Sequence, residues 1–479
     1  MSTHFCSISK LGVLLTACMA SSLWAQDIDW RNKDIGVSFR DKRIDGFRFD
    51  GAKAVAGVTD FQRSTGEKPS FRKAVLTGVN FRNAVINEPN FEDANLQNVT
   101  ISGADMRGSN FADANMQGAD LYRATLLDSR FPSANLEGAK LDAMKVSDKA
   151  NFAKANLTNA SVMDVDLTEA DFSKTNLTNT TFARSLLGGA DFSSATMVKT
   201  DFTGCNLINA DFSSVDLTNV NFARAGLSRA DFGGAKFINV NLRNADLSLT
   251  TFNDVDLSKT QLQGASFAQG TVKNMTFNGQ DLSDVIFDKG RVAGSTFEKA
   301  KLNGASFFDS EIDKVVFKEA ELQKAVFDGA LIKKNIFDRA DLTKANFSNS
   351  TVERTDFNFA QMVGANFSGA KLFKVSFQNA DMKNCKINAD TKMEEVDFSG
   401  TDLSRCSIER FTAKKVLYDA KTNFPDGFNP RQFGFTRPGE KAAEVVVETK
   451  QSDTPSRSTV TDDAMPRKVK RKKRVNTAE

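Results

Sequence analysis

The chain has 479 residues, of which 40% are hydrophobic and 26% charged, and its formal net charge is +3. Its single histidine is His4, so the rest of the chain excludes histidine triads, histidine-type zinc sites and imidazole acid–base catalysis. The sequence also lacks a phosphate-binding glycine loop and a Ca²⁺-binding loop. These observations predict a non-enzymatic protein without catalytic residues, metal or cofactor.

The first 25 residues have the pattern of a targeting segment. An apolar stretch begins at Leu11 and ends at Ala25, and it is too short and wrongly flanked for a membrane-spanning helix. We expect residues 1–25 to be a signal peptide that is cleaved after Ala25. As an alternative, Leu15-Thr16-Ala17-Cys18 resembles a bacterial lipobox, in which Cys18 is the lipidated residue. Both alternatives predict an exported protein, which is periplasmic or associated with the cell envelope.

Residues 26–70 contain apolar residues without a clean repeat. Phe39, Ile44 and Phe49 are spaced five residues apart, but the spacing does not continue to the end of the segment. We expect an N-terminal cap or irregular first coils here.

From residue 71 a large apolar residue occurs at every fifth position. The first block runs from Phe71 to Val146, the second runs from Phe152 to Ile387 without a miss, and a short third block ends at Ile408. Single-residue slips near 147–149 and 390–392 separate the blocks. A period of five fits neither an α-helix nor a flat strand, so the sequence predicts a solenoid with a five-residue unit. Residues 71–410 hold 68 such units.

Each unit combines one short side with one bend, as in Ala170-Asp171-Phe172 and the two residues that follow. The small and the large residue are two positions apart and point the same way on an extended segment, while the acid between them points outward. Between Phe267 and Phe377, Phe recurs every ten residues, and the remaining large positions split with a period of twenty into a Leu/Met series and a mostly β-branched series. Four units therefore make one coil, about 17 coils in all, with Phe stacked on two opposite sides.

The units Ala134-Asn135-Leu136 and Ala340-Asp341-Leu342 resemble the Ala-(Asp/Asn)-(Leu/Phe) pattern of the pentapeptide repeat family. The resemblance implies an all-β fold, a right-handed quadrilateral parallel β-helix in which the small and large residues both fill the interior. It predicts a rigid rod without an internal pocket. Acidic pairs such as Asp164 and Asp166 follow from the repeat, and we interpret them as a solvated polar surface.

The three cysteines beyond the first 25 residues occupy the small inward position of the unit. They are Cys205, Cys385 and Cys406, and we interpret them as inert core residues. Cys385 and Cys406 are 21 residues apart across the second slip, so they stack one coil apart. A disulfide between them in an oxidising compartment is an open alternative.

The C-terminal part changes character after the last repeat. We expect a short helix over residues 409–417 within a C-terminal cap, 411–436, whose Pro and Gly end the repeat. Residues 437–479 are polar and charged, which predicts a disordered basic tail. Its cations form a candidate polyanion-binding site: Arg467, Lys468, Lys470, Arg471, Lys472, Lys473 and Arg474. In an exported protein, the expected partner of this tail is an anionic envelope component.

Two functions are compatible with this sequence. The first is an exported scaffold or protein-binding rod, with an unknown protein partner on its outer faces and a tail that anchors or steers it. The second comes from the resemblance, because family members that protect DNA gyrase from quinolones mimic duplex DNA. Export argues against this second function, and the net charge of −5 without Lys10 and the seven tail cations is too weak for a mimic of duplex DNA. Export also argues against nucleic acid as a partner. A homodimer is also an open alternative.

Overall fold

The computed structural model describes residues 29–253, 255–388 and 390–440. This part of the chain is a parallel β-solenoid of about 20 turns, which confirms the predicted fold class. The predicted coil count of 17 covered residues 71–410 alone, and the additional turns come from both flanks. The predicted signal peptide with Cys18 and the seven tail cations lie outside the described residues. Within them, no helix is long and apolar enough to cross a membrane.

The contacts of a single unit, the one that contains Phe172, show why its residue types recur along the chain. Asp171 forms a parallel bridge with Asp191 one turn later, and the next residue, Phe172, is completely buried. The corner closes when the backbone N–H of Thr175 donates to the carbonyl of Phe172 at 3.2 Å, and Lys174 has a φ of 57°. The Asp171 carboxylate accepts the backbone N–H of Ser173 at 2.9 Å. An Asp or Asn is therefore favoured before the large residue because its side chain satisfies a corner N–H.

The strands are short, because each side is only a few residues long. In the described part of the chain they are β1 Asp34–Ile35, β2 Lys53–Ala54, β3 Thr65–Glu67, β4 Val85–Asn87, β5 Thr125–Leu126, β6 Lys145–Val146, β7 Met197–Val198, β8 Asp216–Thr218, β9 Lys236–Ile238, β10 Thr251–Asn253, β11 Thr271–Lys273, β12 Arg291–Ala293, β13 Glu311–Asp313, β14 Leu331–Lys333, β15 Thr351–Glu353, β16 Lys371–Phe373, β17 Lys386–Ile387, β18 Thr391–Glu394, β19 Ser407–Ile408, β20 Phe411–Lys414, β21 Val416–Leu417 and β22 Phe435–Thr436.

All strand pairs are parallel. The largest sheet has the order β10-β11-β12-β13-β14-β15-β16-β18-β20 and forms one side of the C-terminal half of the rod. Its register is set by inward residues that stack directly, such as Val272, Val292 and Ile312. A smaller sheet, β7-β8-β9, lies on the next side of the N-terminal half. Isolated bridges connect most of the remaining turns.

The sides are named after four consecutive inward residues of one turn. Phe172 marks the first side, Leu177 the second, Phe182 the third and Leu187 the fourth. From this turn onward, successive Phe rings on one side are nearly parallel, as for Phe172 and Phe192, whose centroids are 5.2 Å apart at 6°. These stacks form the core of the rod, and at about 2 kcal/mol per buried large apolar side chain they stabilise it strongly.

Phenylalanine changes sides near the middle of the rod. Upstream it stacks on the first and third sides, whereas from Phe267 to Phe377 it stacks on the fourth and second sides. At the exchange the first-side rings of Phe232 and Phe252 are 5.9 Å apart at 20°, a looser stack than those before and after it. Asp256, which would pair with residues 236 and 276, lies in no bridge. The hydrogen-bonded ladder is therefore interrupted where the core changes its composition.

Both predicted slips lie at the corner between the fourth and first sides. The inward residues on either side of the first slip are Val146 and Phe152, and those of the second are Ile387 and Met393. Bridged residues across each slip are 21 rather than 20 residues apart. At the second slip, Thr391 is buried and its hydroxyl donates to the carbonyl of Phe367, 2.9 Å away. Each extra residue is thus absorbed in the corner, and the stacked sides continue past it.

The first turns are irregular because of an insertion and a missing large residue. Bridges here join residues 19 or 22 apart, and two additional residues lie in the exposed stretch 55–58. At the inward position 66 the chain has Gly, and a Cβ there would come within 2.9 Å of the Ile44 side chain. Ile44 therefore fills the interior that a large residue at 66 would otherwise occupy.

The predicted helix over residues 409–417 is wrong. This segment forms β20 and β21, and β20 pairs with β18 in the large sheet. The reason is that the preceding turn offers a parallel ladder in the correct register, with Thr391 beside Phe411 and Met393 beside Ala413. Pairing in this ladder satisfies the backbone N–H and C=O groups of the segment. Its local sequence pattern is also compatible with a helix.

The residues after β21 cover the last turn. A 3₁₀-helix spans Pro430–Phe433, and β22 pairs with β21. The ring of Phe435 stacks over that of Phe398, with centroids 6.2 Å apart. The rings of Phe428 and Phe433 are stacked at 4.7 Å beside them. This aromatic cluster shields the apolar end of the solenoid, which would otherwise be open.

Candidate functional surfaces

Metal-ligand clusters and surface depressions are the first features to consider in the described part of the chain. No group of three or more His, Cys, Asp or Glu side chains there is placed to hold a metal ion. A shallow, open depression over β7 and β8 is lined by Met197, Ser214, Asp216 and Thr218. Asp216 is the single ionisable residue among these four, so they provide no pair of groups for acid–base chemistry.

Cys205 behaves as a core residue. It is 2% exposed, and burial raises the pKa of its thiol to about 12. The thiol donates to the carbonyl of Phe182 at 3.0 Å, in the previous turn. Because the thiolate is the nucleophilic form, a thiol with this pKa is unreactive at neutral pH.

Cys385 and Cys406 are joined in a disulfide, the alternative that the sequence left open. Their Cα atoms are 4.6 Å apart, as expected for two small inward positions in neighbouring turns. The bond spans 21 residues and includes the second slip. It therefore ties together the two turns that accommodate the extra residue.

Charged residues on the outside pair along the rod. Arg184 contacts Asp164 of the previous turn at 2.7 Å, and a hydrogen bond from this guanidinium lowers the pKa of the carboxyl group. Asp166, the other member of this acidic pair, accepts the backbone N–H of Thr168 at 3.1 Å. Opposite charges one turn apart are the common arrangement, with Arg72 and Glu92 at 2.9 Å as a further example. Asp164 and Asp166 thus have structural partners of their own.

Between residues 186 and 249 the fourth side exposes apolar residues, and its outward charges there are Arg229 and Asp246. Leu186, Ile208 and Leu249 are 46%, 39% and 38% exposed. Gly188 and Gly226 lie among them, and the bridges Leu186–Asn206 and Asn206–Gly226 place these positions in consecutive turns. We call these five residues the apolar side. Leu186 lies in a bridge between turns, Ile208 and Leu249 lie at corners, and the glycines leave the surface flat, so a protein surface can dock there.

Comparison with protein-family models identifies the repeat. A model described as pentapeptide repeats (8 copies) matches residues 70–103, 90–126, 109–143, 148–183, 185–224 and 353–388. A second, described as a pentapeptide repeat region, matches residues 209–287 and 280–357. Together the matches span about two thirds of the sequence. The chain belongs to the pentapeptide repeat family.

Solved structures of other pentapeptide repeat proteins are similar to parts of this one. HetL, a protein involved in heterocyst differentiation regulation from the cyanobacterium Nostoc, is 21% identical over 45% of this chain and 91% of its own, with a TM-score of 0.22. Full-length QnrB1, a plasmid-mediated fluoroquinolone resistance protein, is 19% identical over 44% and 94%, with a TM-score of 0.23. A pentapeptide repeat protein from the Arabidopsis thaliana thylakoid lumen is 28% identical over 25% and 63%, with a TM-score of 0.09. The comparison with curated proteins gave no significant match.

The sequence did not predict the apolar side of this pentapeptide repeat protein. Its members lie at different outward positions of the unit, so they become neighbours only when turns of twenty residues are stacked. Sorting the outward residues by side would have found the signal. The site residues that were predicted, Cys18 and the seven cations of the tail, lie outside the described residues.

Proposed function

We propose that this pentapeptide repeat protein is an exported, non-enzymatic rod that binds another protein through the apolar side. The observation that carries the proposal is the exposure of Leu186 and Ile208 in two consecutive turns whose fourth side has no charged residue. Apolar side chains that are exposed to water in the free rod leave the water when a partner covers them, and this burial favours binding. A stacked core of Phe and Leu keeps the surface in shape, so binding requires little ordering of the rod.

Two features support export. The first 25 residues have the pattern of a signal peptide, or of a lipoprotein leader with Cys18 as the modified residue. The disulfide between Cys385 and Cys406 is of the kind that persists in oxidising compartments and is rare in the cytosol. In this proposal the basic tail, Arg467 to Arg474, anchors or steers the rod by attraction to an anionic envelope component.

Cell fractionation combined with cross-linking tests the proposal in two steps. The full-length protein is expected in the periplasmic or envelope fraction, and a cytosolic location would contradict export and favour the DNA-mimic alternative. Cross-linking is then compared for Ile208→Glu and for Ile238→Glu. The two isoleucines are 39% and 41% exposed and occupy the same position of the unit on opposite sides of the rod.

We expect Ile208→Glu to remove a cross-linked partner that Ile238→Glu retains, because only the first places a charge on the apolar side. If both variants keep the partner, the apolar side is not the binding surface. Light scattering of the purified wild-type protein detects self-association. A dimer that Ile208→Glu dissociates would identify a second copy of the chain as the occupant. Deletion of residues 467–474 tests the tail, and an unchanged location would contradict anchoring.

A further inference from the structure

A second surface lies at the corner between the first and second sides of the C-terminal half. Lys314, Lys334, Arg354 and Lys374 follow β13, β14, β15 and β16 in four consecutive turns, and all four are exposed. Their φ angles are 54°, 54°, 48° and 54°, so they occupy equivalent positions. With neighbouring turns about 4.8 Å apart, the four cations form a straight row about 14 Å long. We call this row the basic ridge.

The ridge differs from other corners in the number of cations that follow one another, because single or paired corner cations without an ion pair, such as Lys154 and Lys174, also occur elsewhere among the described residues. Lys374 contacts Glu395 of the next turn at 3.5 Å. In the described part of the chain, Lys314, Lys334 and Arg354 have no such ion pair. Like charges that stack directly destabilise a sheet. The fold does not require cations here, because earlier turns place Asn274 and Gly294 at the same corner.

The surroundings of the ridge add charge on one flank and apolar surface on the other. On strands β13 to β16, Lys333 and Lys371 also face outward, and the carboxylates of these strands are Glu311, Asp313 and Glu353. Glu311 is paired with Arg291 at 3.2 Å and Glu353 with Lys333 at 3.9 Å, so among the described residues Asp313 is the one of these three carboxylates that is not held in an ion pair of its own.

Across the corner, two residues beyond Lys314 and Lys334, lie Val316 and the 42% exposed Ile336. The next residue in this row is the half-buried Asp356, so the apolar flank is two turns long. The corner therefore presents a row of cations beside a short apolar row.

We propose that the basic ridge binds an extended acidic segment of a partner protein. Side chains of an extended segment alternate in direction, so its carboxylates reach the ridge while alternate apolar side chains reach Val316 and Ile336. About five residues span the ridge at 3.3 Å per residue. A nucleic-acid duplex is the poorer fit, because Glu311, Asp313 and Glu353 lie within its larger footprint and Ile336 offers a phosphate backbone nothing. This assignment rests on the proposed role of the rod as a protein-binding scaffold.

Fluorescence anisotropy with the full-length protein tests the assignment. The probe is a labelled peptide of about 12 residues in which Glu alternates with Val, and its control has Gln in place of Glu. The test variant combines Lys334→Gln with Arg354→Gln. The matched variant combines Lys154→Gln with Lys174→Gln, two exposed cations in consecutive turns at the same corner of the N-terminal half, with φ angles of 61° and 57°.

We expect the Glu peptide to bind, the Gln peptide not to bind, and the ridge variant to weaken binding by about tenfold. The matched variant should change binding by less than about twofold, and Ile208→Glu should leave it unchanged, which separates this surface from the apolar side. The melting temperature of the ridge variant should stay equal or rise, because like-charge repulsion is removed. The assignment is overturned if the Glu peptide does not bind, if the matched variant loses as much affinity, or if single-stranded DNA binds as tightly and is lost in the same variant.

Discussion

Removal of the Cys385–Cys406 disulfide is expected to loosen the last turns of the rod without unfolding the rest. The bond closes a loop of 21 residues, for which loss of chain entropy in the unfolded state corresponds to about 3 kcal/mol. Because each turn of a solenoid contacts only its neighbours, this loss is local. Serine fits both positions, since Ser185 occupies an equivalent inward position and donates to the carbonyl of Val162 at 2.8 Å.

Hydrogen exchange measures the effect turn by turn. In the double variant Cys385→Ser, Cys406→Ser, amides of residues 390–417 should exchange about 100-fold faster than in the oxidised wild type, while those of residues 290–350 should not change. Dithiothreitol should have the same effect on the wild type and none on the double variant. Cys205→Ser serves as the control for replacing a buried cysteine. Equal exchange in the oxidised wild type and the double variant, or alkylation of Cys385 in the native protein, would refute the disulfide as a local staple.

Three further outcomes follow from the core and the surface. Phe327→Ala removes a completely buried ring that is stacked on the rings of both neighbouring turns. It should lower the free energy of unfolding, measured in urea, by about 3–5 kcal/mol. The control Phe359→Ala removes a ring that is 47% exposed and should change this free energy by less than about 1 kcal/mol. Arg184→Gln should raise the pKa of Asp164 toward its usual range in an NMR titration. In the wild type, the ion pair stabilises the folded state at pH values above the usual pKa of an aspartate, and this stabilisation is lost as the pH falls through the lowered pKa of Asp164. Cys205 should resist iodoacetamide at pH 8 in the folded protein and react after unfolding, and rapid labelling of the native protein would contradict its burial.

The architecture could be predicted from the sequence because the repeat is carried by large residues. A period of five with a subharmonic of twenty determines the unit and the number of sides, and the two slips were located to within a few residues. For residues 26–70 the sequence allowed either a cap or irregular first coils, because Gly66 interrupts the series of large residues, and the place of Ile44 in the interior could not be read from the sequence. The helix assigned to 409–417 failed because pairing with β18 decides the conformation there, and pairing is not a local property.

The candidate surfaces were harder to predict from the sequence than the fold was. The apolar side and the basic ridge consist of residues about twenty positions apart, each unremarkable in its own unit. Lys334, for example, occupies a corner position that Lys and Arg hold in many other turns, and only its like-charged neighbours Lys314 and Arg354 distinguish it. The geometry of the stack turns such residues into a row.

The exchange of Phe between sides bears on how the rod responds to tension. When a uniform solenoid is pulled along its axis, turns detach in sequence from its two ends, because every interior turn is held by two equal neighbours. This rod contains an interior turn with weaker connections, where Asp256 lies outside the ladder of the second side and the rings of Phe232 and Phe252 stack more loosely than their neighbours do. Extension should therefore begin in the middle as well as at the ends, and the two halves should rupture as separate events in a force–extension trace.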